Sequence, residues 1–137
     1  MNADLALWLA PYGTTLAALG TMAALMLVQL LVADVMGIRH RHVPGTPVAA
    51  DHANILFRVT RTVSNTNESI AIFICALLFC IFGAASPTYT GYAAWLFVLA
   101  RVVYTVCYYT NQQILRSTSF ALSLLALLAL IVLGFVA

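Results

Sequence analysis

The sequence predicts an all-α integral membrane protein, a bundle of four transmembrane helices that forms one membrane domain over residues 1–137. Three observations predict it. The chain is 64% hydrophobic and only 7% charged, where soluble domains carry roughly 25% charged residues. Its mean hydropathy is +1.01. The apolar residues fall into four stretches of the length, about 20 residues, that a helix needs to cross a hydrocarbon core, and the polar pieces between them are too short for a soluble domain.

The first span runs from Tyr12 to Met36. The head before it, "MNADLALW", carries Asp4 and no Lys or Arg, so it lacks the positive n-region of a cleavable leader and the first helix is expected to stay. Near the inner end of this span, Gln29 and Asp34 are read as structural, with Asp34 paired to Arg39 at the interface. The loop that follows, "GIRHRHVPGTPVAADHAN", is broken by Pro44, Gly45 and Pro47, and Asp51 stands where an N-cap opens the second helix.

The second span, Ile55 to Phe82, is long. Counted from Asp51 it covers about 48 Å at about 1.5 Å per residue, against roughly 30 Å of hydrocarbon, so its first turns project into the cytoplasmic interface. Ser86, Pro87 and Gly91 mark a turn before the third span, Tyr89 to Tyr109, and Asn111 to Gln113 mark another before the fourth, Thr118 to Phe135. Trp8 and Trp95 suit anchors at the outer interface. Arg39 and Arg41 stand in the first loop and Arg116 in the third, while the middle loop "GAASPTYTG" is uncharged. The positive-inside rule then places both termini outside and the basic loops in the cytoplasm. The small size and short loops suit a bacterial inner membrane.

Several classes drop out. A net charge of +2, scattered along the chain, does not suit nucleic acid. Cys75, Cys80 and Cys107 all lie inside predicted helices with no C-x-x-C pair, so a dithiol oxidoreductase is excluded and the three are read as small buried hydrophobes. His40 and His42 flank Arg41 without a third ligand, which does not make a metal site. Asn67, Glu68 and Ser69 satisfy the N-glycosylation pattern, but at membrane depth no glycan is expected.

The chemistry concentrates in "RVTRTVSNTNES", residues 58 to 69. Arg58, Arg61, Asn65 and Glu68 are spaced by three, four and three residues and share one helix face. Arg101, Tyr104, Tyr108 and Asn111 repeat the spacing on the third helix. A charge near the bilayer centre costs about 2.5–3.5 kcal/mol on insertion scales, so both stripes must face protein or water, and they can face each other. A purely structural alternative reads them as ion pairs, Glu68 with an arginine of the same or a neighbouring subunit, that set helix register. Against it stands the count: Arg58, Arg61, Arg101 and Arg116 meet one intramembrane acid, Glu68. Unbalanced positive charge at that depth suits an anion. Arginines take carboxylates in bidentate fashion, Glu68 can take an ammonium, and Asn65 and the tyrosines can fix amides, so an acidic peptide-like ligand fits.

These residues carry a resemblance. "RTVSNTNE" with Arg61, Asn65 and Glu68, then "ARVVYTVCY" with Arg101, Tyr104 and Tyr108, then "LRSTSF" with Arg116 and Ser117, resemble in order and spacing the membrane-associated proteins in eicosanoid and glutathione metabolism, the MAPEG family. The last stretch is similar to that of its microsomal glutathione transferase and prostaglandin E synthase branches. The resemblance implies a homotrimer with glutathione bound between neighbouring subunits and reached from the cytoplasm. It implies that Arg61, Asn65, Glu68, Tyr104 and Tyr108 bind the tripeptide, that Arg116 stabilises its thiolate, that Ser117 assists, and that Arg39 or Arg41 adds a loop contact. Arg58 and Arg101 join the ligand-binding set through the stripes.

The resulting expectation is a glutathione-dependent transferase or peroxidase acting on lipophilic electrophiles or lipid hydroperoxides dissolved in membrane lipid. The protein needs no nucleophile of its own, because the cofactor brings a thiol and the site adds a fixed positive charge. Two alternatives stand beside it: a non-catalytic lipid-binding or scaffold protein of the same fold, and a small four-helix multidrug antiporter, against which the four arginines argue.

Overall fold

A computed structural model describes residues 3–137; Met1 and Asn2 of the head lie outside the described residues. The chain opens with α1, Ala3–Leu9, passes through a tight 3-10 turn at Ala10–Tyr12 and continues as α2, Gly13–Arg39. Pro11 causes the break, since it has no N–H to donate to the helix ladder. The remaining helices are α3, Ile55–Phe82, α4, Pro87–Tyr109, and α5, Gln113–Phe135. The stretch Asp4–Arg39 and each of α3, α4 and α5 are long and apolar enough to cross a membrane. The protein is all-helical, with the architecture of a multi-pass integral membrane protein.

Helix boundaries at α3, α4 and α5 differ from the sequence expectation, and α2 runs on to Arg39 rather than ending at Met36. The cap of α3 is Asn54 rather than Asp51: Asn54 has the extended backbone a cap needs, and its Oδ1 accepts from the Leu56 N–H at 2.9 Å. Asp51 instead closes the preceding turn, accepting from the Ala53 N–H at 2.8 Å. Helix α4 begins at Pro87, whose missing N–H is harmless in a first turn. Helix α5 begins at Gln113 rather than Thr118, so Arg116 and Ser117 sit in its first turns and not in a loop. Hydropathy marks where a helix becomes apolar, and the polar opening turns of α5 escaped it.

Helix α4 packs against α5 and α2, and α3 packs against α2, α5 and α4. Between lipid-immersed helices apolar contact gains little over lipid contact, so close approach and shape hold the bundle. Ala18, Ala94 and Ala126 are fully buried where helices cross, and Phe73 of α3 stacks on Phe97 of α4 with ring centroids 4.3 Å apart. At Gly134 of α5 any Cβ would run into the ring of Phe79, so the closeness of α3 and α5 depends on that glycine. The Tyr12 hydroxyl donates to the Ala85 carbonyl at 2.6 Å, Trp8 stacks on Phe82, and the Trp95 indole donates to the Thr14 carbonyl at 3.2 Å. These contacts gather near the α3–α4 turn.

Two further expectations are corrected. Cys80 and Cys107 are buried, but Cys75 is exposed, turned outward by the helical phase of α3. Asp34 forms no ion pair with Arg39; among the described residues the one ion pair is Arg61 with Glu68. Residues five apart on a helix point away from each other, whereas three or four apart would have met.

Candidate functional site

The polar stripes of α3 and α4 meet at the end of the bundle that carries the loop before α3 and the α4–α5 turn. On α3, Arg61 Nη1 donates to Glu68 Oε1 at 2.8 Å, and Asn65 Nδ2 donates to Glu68 Oε2 at 3.4 Å. Asn65 Oδ1 in turn accepts from Arg101 Nη1 at 2.9 Å, and Thr66 Oγ1 accepts from Arg101 Nη2 at 2.8 Å. Arg101 is therefore the point where the two stripes lock. It is fully buried, has no carboxylate in contact, and lies over the Tyr104 ring at 4.5 Å. Two neutral acceptors and an aromatic face replace its hydration, which is how a cation persists at this depth. Helix α2 joins the network through Gln29, which donates to Thr105 Oγ1 at 2.7 Å, while Thr105 donates to the Arg101 carbonyl at 2.8 Å.

One turn further along α4, the Arg116 guanidinium lies over the Tyr108 ring at 4.4 Å, and the rings of Tyr104 and Tyr108 meet edge-on at 5.4 Å. Between these groups is a cleft of about 240 Å³ lined by His52, Arg61, Asn65, Tyr104, Tyr108, Arg116, Ser117 and Phe120. Two guanidinium groups line it and no carboxylate does. Arg61 is paired with Glu68 just outside the lining, so the excess positive charge of the cleft rests on Arg116.

Of the residues expected from the sequence, Arg61, Asn65, Tyr104, Tyr108, Arg116 and Ser117 line the cleft together. Glu68 stands behind Arg61, and both side chains remain partly exposed, at 56% and 42%. Arg101 supports the cleft from within the core without lining it. Arg58 turns away: its Nη1 donates to the carbonyls of His52 at 2.6 Å and Ala53 at 2.9 Å. The Ser117 hydroxyl donates back to the Gln113 carbonyl at 3.0 Å.

Two lining residues went unnoticed in the sequence. Phe120 is four residues after Arg116, one helical turn on, and would have been visible had α5 been started at Gln113. His52 belongs to a loop whose return toward α5 no periodicity encodes; its Nδ1 lies 3.4 Å from Arg116 Nη1.

The geometry suits an anion with several polar groups, held by guanidinium forks and capped by aromatic rings. No curated protein matches the chain. Residues 14–136 match the MAPEG family, a stretch that includes every residue of the cleft, and the chain belongs to that family.

Proposed function

We propose that the chain is a glutathione-dependent transferase or peroxidase acting on lipophilic electrophiles or lipid hydroperoxides. The observation that carries this reading is the convergence of Arg61 and Arg116 on one cleft with no carboxylate in its lining, in a family that includes glutathione transferases and related enzymes. The donor set fits glutathione: guanidinium forks for its carboxylates, Asn65 and the tyrosines for its amides, and Glu68 beside the cleft for its ammonium. When bound, glutathione supplies a thiolate nucleophile. Arg116, stacked over Tyr108, holds positive charge where the sulfur's negative charge develops. Ser117 stands next to it in the lining, its hydroxyl donating to the Gln113 carbonyl, and Phe120 adds an apolar wall.

The same reading includes a homotrimer in the membrane, with the loop end toward the cytoplasm, both termini outside and the cleft completed by a neighbouring subunit. Ser64, Asn67 and Glu68 are exposed on α3, a segment long enough to cross a membrane, and polar groups at that depth need protein or water rather than lipid. An apolar groove of about 420 Å³ formed by Ala71, Ile72, Cys75, Ala76, Phe79 and Ile131 continues the same face.

The test is thiolate formation. Glutathione added to the detergent-purified protein at neutral pH is expected to give the ultraviolet thiolate absorbance, and Arg116→Ala to abolish it with the assembly intact. A second reading, the non-catalytic scaffold, draws on the pairing of Arg61 with Glu68 and the complete burial of Arg101. It takes precedence if the wild type gives no thiolate and no conjugation with a panel of electrophiles.

A further inference from the structure

His52 is held by three contacts from the loop and helix around it. Arg58 grips its carbonyl oxygen at 2.6 Å, its ring meets Phe57 edge-on at 5.1 Å, and its ring lies 5.9 Å from that of Tyr108. The nitrogen turned toward α5 is Nδ1, 3.4 Å from Arg116 Nη1. A guanidinium has only donors, so in this contact Nδ1 is the acceptor. Arg116 is thus held on two sides, by the Tyr108 ring at 4.4 Å against its face and by an imidazole nitrogen at its edge. Among the described residues no other side chain hydrogen-bonds its guanidinium. The Ser117 hydroxyl donates to the Gln113 carbonyl, and Glu68 is taken by Arg61 and Asn65.

We propose that His52 is the positioning residue of the cleft: its Nδ1 sets the Arg116 guanidinium over Tyr108, and Arg58 sets His52 by gripping the loop that carries it. An arginine side chain has many rotamers, and a ring face alone leaves the guanidinium free to slide and turn. An in-plane acceptor fixes the direction in which its remaining N–H groups point. The effect of His52 on a thiolate rests on the glutathione reading above; its effect on Arg116 does not.

The experiment compares the full-length, detergent-purified wild type with His52→Ala, His52→Leu and His52→Asn. Leucine keeps most of the volume without an acceptor, and asparagine returns an acceptor near the position of Nδ1. The first readout is the rate at which phenylglyoxal modifies Arg116, followed by peptide mass spectrometry. Loss of one charge-assisted hydrogen bond is expected to raise that rate about tenfold in the alanine and leucine variants, with the asparagine variant close to wild type. The second is thiolate absorbance per bound glutathione together with steady-state kinetics. Alanine and leucine are expected to lower the thiolate signal and kcat about tenfold, with the KM for glutathione unchanged and asparagine restoring both. An Arg116 modification rate equal in wild type and leucine variant, or an asparagine variant that behaves like leucine, overturns the proposal. If the wild type forms no thiolate while phenylglyoxal still separates leucine from asparagine, the glutathione reading falls and the positioning role stands.

Discussion

The two ends of the α3–α4 pair are held together by different physics. Toward the α3–α4 turn the contacts are mainly apolar and uncharged: the Phe73–Phe97 stack, buried Leu77, Cys80 and Leu130, and the Gly134 backbone against Phe79. Toward the loop end the same helices are joined by Arg101 to Asn65 and Thr66, and an anion-suited cleft opens beside that lock. In lipid, apolar residues gain little by choosing each other over the bilayer, so the first end depends on volume. Charges have nowhere else to go, so the second end depends on hydrogen bonds to the guanidinium Nη atoms. Stability is expected to reside mainly at the first end and function at the second.

The largest break of that division is Phe73→Ala, which removes half of the ring stack from a fully buried site. It is expected to cost about 3–5 kcal/mol in unfolding from detergent, with the remaining folded protein still binding glutathione by calorimetry. Arg116→Ala is expected to do the reverse. Its thiolate-dependent activity should drop about 10²–10³-fold, the loss seen when one preorganised donor to a developing anion is removed, with an unfolding midpoint within experimental error of wild type. If instead the midpoint collapses while residual activity persists, Arg116 is structural and the division fails. Gly134→Leu inserts a side chain into the space of the Phe79 ring and is expected to destabilise by about 1–3 kcal/mol, again measured as a detergent unfolding midpoint, with kcat untouched. The smallest effect sharpens the comparison. Gln29→Leu deletes one buried intramembrane hydrogen bond to Thr105 and is expected to cost only about 0.6 kcal/mol, a value that separates a polar tie between helices from the Arg101 lock.

The site was legible in proportion to how much of it is helical. Arg61, Asn65, Tyr104 and Tyr108 could be placed on facing stripes because spacings of three and four fix which residues share a helix face before any contact is known. Arg58 satisfies the same spacing as Arg61 yet leaves the stripe for the loop carbonyls; periodicity gives a direction from the helix axis, and a long side chain at a helix start can reverse it. Glu68 and Arg101, also read as ligand groups, stand beside and beneath the cleft, each engaged by a neighbour. Such partner choice among several arginines and one acid depends on distances that composition does not contain.

By itself the sequence determined the class: four apolar stretches long enough to cross lipid, separated by short polar turns, admit an all-helical membrane bundle because lipid offers backbone groups no other partner. It also determined that the polar stripes must face protein or water rather than lipid. Only the tertiary structure decided which arginine is entombed and which lines the cleft, that Asn54 rather than Asp51 caps α3, and that the loop before α3 folds His52 against Arg116. Apart from the local Asn54 cap, those outcomes turn on contacts between residues far apart in the chain, His52 and Arg116 among them, where loop closure and helix packing set the distances and no local pattern can.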